Sequence, residues 1–187
     1  MVKKLCVVMM AFFMMISLAG AAEIAGVNMP DTMKAGDSNL ILNGAGVRTK
    51  FFLDLYVGAL YVQQKSQDAQ ALMDADAPMA IRLQIISSLI TSEKMEDATR
   101  EGFENATKDN TAPIQNEIEN FISVFKEKIN ENDIYDFIYT PAKGVEIYKN
   151  GAYNTVTTGL AFKKALFGIW LCDKPAQKSL KEEMLGK

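Results

Sequence analysis

Apolar residues fall into blocks along the chain, and their spacing predicts strands, then helices, then strands and helices again. Residues 47–62 are rich in aromatic and aliphatic side chains, almost without polar residues from residue 55 on, which predicts one long strand. The sequence Asn-Gly-Ala-Gly at residues 43–46, directly before this run, predicts a turn. Alternation over residues 133–140 and the hairpin signal Asn150-Gly151 predict a three-stranded meander up to residue 157. Shorter strands are predicted at residues 23–28, 40–42 and 79–87.

Helices are predicted where apolar residues recur every three or four positions. The clearest stripe, which consists of Ile and Phe side chains, spans residues 113–129. Another helix follows Thr91 or Ser92, either of which can cap it, and runs to about residue 106. Further helices are predicted at residues 66–74, at residues 160–171 and after the capping box Ser179-x-x-Glu182. Segregated blocks of strands and helices predict an α+β fold, in which helices cover one face of an antiparallel sheet.

The amino terminus has the order of residues found in a secretory signal peptide. Two lysines are followed by an almost wholly apolar segment, residues 5–18, and then by Ala-Gly-Ala-Ala at residues 19–22. The apolar segment is shorter than the roughly 20 residues that a membrane-spanning helix needs. We therefore expect cleavage after Ala21 or Ala22, which leaves one exported domain, residues 23–187, in the periplasm of a bacterium or outside the cell. An uncleaved anchor is the alternative.

Charge and residue types narrow the classes of function. Removal of residues 1–22 takes away two lysines and changes the formal net charge from −3 to −5. An acidic chain argues against nucleic acid as a partner and against stable association with an anionic membrane. The chain has no histidine, which excludes histidine-based triads and zinc sites with histidine ligands. The acidic residues are scattered, so no metal and no cofactor are expected.

The stretch that contains Trp170 holds three further polar residues of interest. Cys172 is the one cysteine left when Cys6 is lost with the signal peptide, so it cannot form an internal disulfide. A lone cysteine in an apolar helical stretch is typical of an inert core position, with a reactive thiol or an intermolecular bridge as alternatives. Lys163 and Lys164 are interpreted as solvated side chains.

Arg48, Tyr56 and Tyr61 are the candidates for binding a ligand. Arg48 follows two glycines and precedes an apolar run, so its five donors could hold a carboxylate or an enolate in an apolar cavity; a surface ion pair with Asp54 is the alternative. The tyrosines could offer hydroxyl donors, or could be core residues with satisfied hydroxyls. Strand alternation puts Arg48 and Tyr56 on one face and Tyr61 on the other. Arg48 and Tyr56 share a compact pocket only if the chain bends between them or the ligand is long.

Three stretches occur together in this sequence: LNGAGVRTK at residues 42–50 running into LYVGALYV at residues 55–62, YTPAKGV at residues 139–145 with Asn150-Gly151, and FKKALFGIWLCDKP at residues 162–175. Together they resemble the chalcone isomerase-like family, in its short exported bacterial branch. The resemblance covers about residues 23–185. It implies an open-faced sandwich, in which helices cover a large antiparallel sheet and leave a cleft between the two layers.

The resemblance also implies roles for single residues. The family includes isomerases that close a chalcone into a flavanone, and relatives that bind fatty acids without catalysis. Arg48 matches the arginine that follows the Gly-x-Gly segment and meets the anionic oxygen of the ligand. Tyr56 aligns where the catalytic branch carries a threonine, so the chain looks more like the fatty-acid-binding branch. Cys172 stands where the family pattern has glycine, which implies a change of local packing.

We therefore expect an exported, non-catalytic protein that binds a small apolar acid, such as a fatty acid, through Arg48, Tyr56 and Tyr61. One alternative is an intramolecular lyase or isomerase, in which Arg48 stabilises an oxyanion. The other alternative is an interaction protein of the cell envelope that has no ligand and in which Arg48 is structural.

Overall fold

The structure is a computed structural model that describes residues 22–187, so the predicted signal segment at residues 1–21 lies outside the described residues. The described chain forms nine strands: β1 (Ala22–Ile24), β2 (Val27–Met29), β3 (Thr32–Ala35), β4 (Ser38–Lys50), β5 (Leu53–Val62), β6 (Met79–Ile85), β7 (Ile134–Thr140), β8 (Gly144–Lys149) and β9 (Ala152–Thr157). It forms five α-helices: α1 (Ala69–Asp74), α2 (Ser92–Thr107), α3 (Gln115–Ile122), α4 (Leu160–Leu171) and α5 (Lys178–Met184).

Strands β3 to β9 form one antiparallel sheet in which each strand pairs with its neighbour in sequence. Helix α1 lies between β5 and β6, and α2 and α3 lie between β6 and β7. Strands β1 and β2 form a separate hairpin. The α+β fold with an antiparallel sheet, predicted from the segregated blocks, is confirmed.

The sheet has two different faces. Residues from all five helices share one core with the strands, here called the helix-face core, in which Phe103, Phe121, Phe137 and Phe162 lie with ring centroids between 5.0 and 5.9 Å apart. A smaller hairpin-face core contains no helix residue and packs the β1–β2 hairpin against the first strands. The helices therefore lie on one face of the sheet, as predicted.

The prediction of a turn at residues 43–46 is wrong. Strand β4 continues through these residues, with a register shift at Asn43, and ends only at Lys50. The turn lies instead at Phe51 and Phe52, inside the run predicted as one strand, and both residues have positive φ angles of 51° and 65°. Aromatic residues carry no turn signal, so the sequence pattern placed the turn at the nearest glycines.

Other boundaries also differ. The strand predicted at residues 23–28 is the β1–β2 hairpin, which turns at Ala25-Gly26 with both residues in the left-handed region. The helix predicted at residues 113–129 ends its regular part at Ile122 and passes into a single 3-10 turn. Helix α5 begins at Lys178, so Ser179 is not its cap; its hydroxyl accepts from the Gln177 side chain instead.

The start of α2 follows its sequence signal, since the Thr91 hydroxyl accepts a hydrogen bond from the Lys94 amide at 3.3 Å. In the described part of the chain, residues 22–187, no helix combines the length and the apolar character that crossing a membrane requires.

Candidate functional site

A cavity of about 610 Å³ lies on the helix face of the sheet, between strands β4 to β7 and helices α2, α3 and α4. Most of its wall is apolar, and the side chains come from elements far apart in sequence. The apolar lining includes Leu55, Leu83, Ile90, Met95, Phe125, Phe137 and Ile169. The cavity is the cleft that an open-faced sandwich implies, since the helices do not fill the space above the sheet here.

The turn at Phe51-Phe52 brings Arg48 and Tyr56 together. The two residues are direct cross-strand partners in the β4–β5 pair, and both line the cavity. The chain therefore bends between them, which is one of the two conditions under which these residues can share a pocket. Directly opposed residues in an antiparallel pair have Cβ atoms about 4.5–5.5 Å apart, so both side chains can meet one small ligand group.

One nitrogen of the Arg48 guanidinium is held by the backbone and by Gln177. Its Nη1 donates to the Thr49 carbonyl oxygen and to Gln177 Oε1, both at 3.0 Å. Gln177, just before α5, also accepts from the Thr49 amide at 2.8 Å, which fixes the amide group that orients Arg48. Asp54 accepts from the Thr49 hydroxyl instead, and no salt bridge within residues 22–187 involves Arg48.

Tyr56 offers a neutral hydroxyl in the same wall. The side chain is buried, and its oxygen accepts a hydrogen bond from Trp170 Nε1 at 3.1 Å. Burial raises the pKa of Tyr56, while the Trp170 hydrogen bond and both the charge and the hydrogen bond of Arg48 act in the opposite direction. The hydroxyl therefore keeps its proton at neutral pH. Because its oxygen is the acceptor from Trp170, the proton can be donated to a ligand oxygen.

Tyr61 does not belong with these two residues. It is fully buried in the hairpin-face core, on the opposite side of the sheet, and does not line the cavity. Its hydroxyl has no hydrogen-bond partner among the described residues, and burial raises its pKa. Strand alternation had placed Tyr56 and Tyr61 on opposite faces, and the structure agrees. The expectation that Tyr61 contacts the same ligand is not met, because the sheet separates them.

The interpretation of Lys163 as a solvated side chain is wrong. Lys163 is fully buried, and its Nζ donates to the carbonyl oxygens of Leu72, Met73 and Ala75 at 2.7–2.9 Å, at the carboxyl end of α1. Burial, helped by the adjacent Lys164, lowers the pKa of Lys163 to about 8. A lysine at a helix end is favoured by unpaired carbonyls and by the helix dipole, so this residue is structural. Lys164 is exposed enough to pair with Asp74 at 2.8 Å.

Two residues that position the site carried no sequence signal. Gln177 and Trp170 lie more than a hundred residues from Arg48 and Tyr56, and only the packing of the helices on the sheet brings them together.

Cys172 follows α4 as a half-buried free thiol, and burial raises its pKa. Within residues 22–187 no group of three or more Cys, Asp or Glu side chains could hold a metal ion.

Comparisons with known proteins agree with this fold. A family model described as chalcone isomerase-like matches residues 21–186. Among solved structures, a fatty-acid binding protein from Arabidopsis thaliana is similar, with a TM-score of 0.67 and 21% sequence identity over 86% of this chain and 92% of that one. No curated protein matches the sequence. At this identity the likeness to the solved structure establishes the fold.

Proposed function

Because the chain belongs to the chalcone isomerase-like family, we propose that it is a non-catalytic binding protein for a small apolar acid of the fatty-acid class. The carboxylate pairs with Arg48, the Tyr56 hydroxyl donates a second hydrogen bond, and the hydrocarbon tail occupies the cavity between sheet and helices. The observation that supports this most is one guanidinium without a carboxylate partner in the wall of a mostly apolar cavity. The ligand class named for the similar Arabidopsis structure points the same way.

The dimensions and the electrostatics of the cavity fit such a ligand. Its volume of about 610 Å³ falls within the range of roughly 300–1,000 Å³ of small-molecule sites. A carboxylate that leaves water for an apolar cavity needs a cation and hydrogen-bond donors to compensate for its desolvation. Arg48 supplies a planar fork of donors that matches a carboxylate, and its hydrogen bonds to Thr49 and Gln177 both leave from Nη1. An uncharged ligand of the same shape would leave these donors unpaired.

Palmitic acid and palmityl alcohol, which share one chain and differ in the charge of the head group, test the role of Arg48. We expect the wild type to prefer the acid in calorimetric titrations. Arg48→Ala should lose roughly 30-fold or more in affinity for the acid, because removal of one partner of a desolvated charge pair costs about 2–5 kcal/mol. It should change the affinity for the alcohol little. Lys50→Ala is the matched control, since Lys50 is exposed at the same cavity and an exposed charge contributes about 1 kcal/mol or less.

The outcomes separate the candidate functions. A wild type that binds neither compound contradicts the binding proposal. Equal losses for acid and alcohol in Arg48→Ala would make this residue structural. Turnover of a chalcone by the wild type, abolished in Arg48→Ala, would assign the protein to the isomerases of the family instead.

The site of action is a separate proposal. We infer that the chain works outside the cytoplasm of a bacterium, as the apolar segment at residues 5–18 implies. The family match begins at residue 21, where that segment has ended. Ala22 pairs with Met29 in the β1–β2 hairpin, so cleavage after Ala21 keeps this strand complete. The mass of the chain recovered from a bacterial periplasm tests the proposal, and the full-length mass would contradict it.

A further inference from the structure

The turn between β4 and β5 exposes large apolar side chains beside the cavity. The exposed fraction is 82% for Phe51, 101% for Phe52 and 49% for Leu53, and Leu89 on the loop before α2 is 47% exposed. Four of the six exposed large apolar side chains among residues 22–187 therefore lie in this region. Phe51, Leu53 and Leu89 also line the cavity, so the exposed apolar surface is continuous with its wall. We call Phe51 and Phe52 the aromatic tip.

The aromatic tip is unfavourable for the hairpin itself. Both residues have positive φ angles, 51° and 65°, a region in which bulky residues are rare. Asn-Gly is the preferred pair at such a two-residue turn, and the same chain uses it between β8 and β9, where Asn150 and Gly151 have φ angles of 52° and 78°. The turn geometry therefore does not require phenylalanines. Two strained and solvent-exposed rings point to a contact made by the rings.

The chemistry around the tip fits a lipid bilayer. The rings project from a turn, so they can enter a soft apolar phase but form no groove for a peptide. The Lys50 ammonium lies 5.8 Å from the centroid of the Phe51 ring, and Lys94 lies in the cavity wall near Leu89. Aromatic rings at the acyl boundary with lysines at the phosphate level are typical of interfacial binding. Asp97 and Glu101 also line the cavity, so the attraction is local and the rings provide most of it.

We propose that the aromatic tip inserts into the interface of a lipid bilayer and brings the mouth of the cavity to the acyl chains. The apolar acid then passes between bilayer and cavity without crossing water. The identity of the transferred ligand rests on the proposed function, whereas insertion of the tip needs only the two rings. Docking of this kind is reversible, which agrees with the acidic charge of the whole chain.

The double variant Phe51→Asn/Phe52→Gly tests the proposal without a risk to folding, because it installs the pair preferred at this turn. Flotation with vesicles of phosphatidylethanolamine and phosphatidylglycerol measures binding. We expect the partition coefficient to fall at least about tenfold, since each buried Phe ring contributes strongly to transfer from water. Transfer of palmitic acid from the vesicles should slow. It should slow also in the single variant Phe52→Gly, whose affinity for palmitic acid in solution should stay unchanged because Phe52 does not line the cavity. The control is Tyr153→Ser, which removes a ring that is 56% exposed on β9 and should leave flotation unchanged.

Equal flotation of the wild type and the double variant would overturn the proposal. The proposal would also be overturned if the wild type did not float but formed a dimer that the double variant does not form. In that case the aromatic tip would contact a second copy of the chain. The proposed function fails separately: a wild type that floats but binds no fatty acid in solution keeps the docking and removes the ligand. Arg48→Ala that floats normally but receives no palmitic acid supports both.

Discussion

The sequence predicts Gly44 and Gly46 as turn residues. The structure shows a different reason for a glycine at position 44, and this reason can be tested. Gly44 lies inside β4 with an ordinary strand conformation, since it is absent from the residues with positive φ. A Cβ atom on Gly44 would lie 2.1 Å from the Glu183 carbonyl oxygen and 2.9 Å from that of Met184. The glycine therefore allows the end of α5 to approach the strand. Gly44→Ala removes this possibility.

The contact geometry sets the size of the effect. Ordinary contacts of a Cβ begin at 3.4 Å, so the backbone at Glu183 must move by more than 1 Å. Its carbonyl is part of the helix and cannot rotate away. Movement of α5 disturbs Leu180, Met184 and Leu185, which are almost completely buried in the helix-face core. Overpacking typically costs 1–3 kcal/mol, and each of these side chains contributes about 1.5–3 kcal/mol by burial, so we expect a loss of about 3 kcal/mol.

Gly58→Ala is the matched control, because Gly58 lies opposite Gly46 on the neighbouring strand β5. A Cβ there would have its three nearest atoms at 3.6 Å, which is ordinary van der Waals contact. We expect its free energy of unfolding, measured by urea titration, to change by less than about 1 kcal/mol. Gly44→Ala should also weaken palmitic acid binding, because the start of α5 follows Gln177, which holds Arg48. Equal stabilities of the two variants would refute the close-contact explanation.

Two further predictions concern buried charges. Lys163 has a folded-state pKa of about 8 against 10.5 for the free side chain, so the unfolded chain binds more protons than the folded chain between these pH values. The free energy of unfolding of the wild type, relative to that of Lys163→Met, should therefore rise from pH 8 to pH 10 by up to about 1.4 kcal/mol per pH unit. Parallel stability curves of the two proteins would contradict this. Asp136→Asn should lower the free energy of unfolding, measured by urea titration, by about 2 kcal/mol, because Asp136 receives two hydrogen bonds from Arg82 at a largely buried position. Glu119→Gln, at the exposed pair with Arg100, should lower it by less than about 1 kcal/mol. Equal losses in the two variants would contradict the argument from burial.

Elements with strong local signals were predictable from the sequence. Thr91 marks the start of α2, and Asn150-Gly151 marks the β8–β9 turn, because a capping hydroxyl and a left-handed residue pair act within a few residues. The fold class followed from the order of such elements. The turn at Phe51-Phe52 was missed because its residues oppose the local preference for that geometry, which is the same property that makes the tip a candidate contact surface.

Long-range contacts were not predictable in the same way. Lys163 has the charge of a solvated residue, and only the carboxyl end of α1, ninety residues earlier, makes its burial favourable. Arg48 was a candidate because an arginine that follows two glycines and precedes an apolar run places five hydrogen-bond donors beside apolar residues. Its support by Gln177, 129 residues later, depends on where α5 packs. Local sequence therefore indicated the charged group that lines the cavity but not the residues that orient it.

The face on which Arg48 lies depends on a single residue upstream. Leu40 and Leu42 belong to the hairpin-face core, so strict alternation would put Arg48 on that same face. The register shift at Asn43 inserts one residue, after which Ala45 and Val47 face the hairpin and Arg48 faces the cavity.

Asn43 holds this bulge with three hydrogen bonds. Its side chain donates to the carbonyl oxygens of Ser66 and Met184 and accepts from the Ser66 amide, at 2.8–2.9 Å. Met184 is the last residue of α5, so the same asparagine connects the bulge by a hydrogen bond to the helix that lies close to Gly44. The bulge, the close approach of α5 to the strand and the orientation of Arg48 by Gln177 therefore depend on one another. The segment Asn-Gly-Ala-Gly-Val-Arg at residues 43–48 thereby places the arginine side chain in the wall of the apolar cavity.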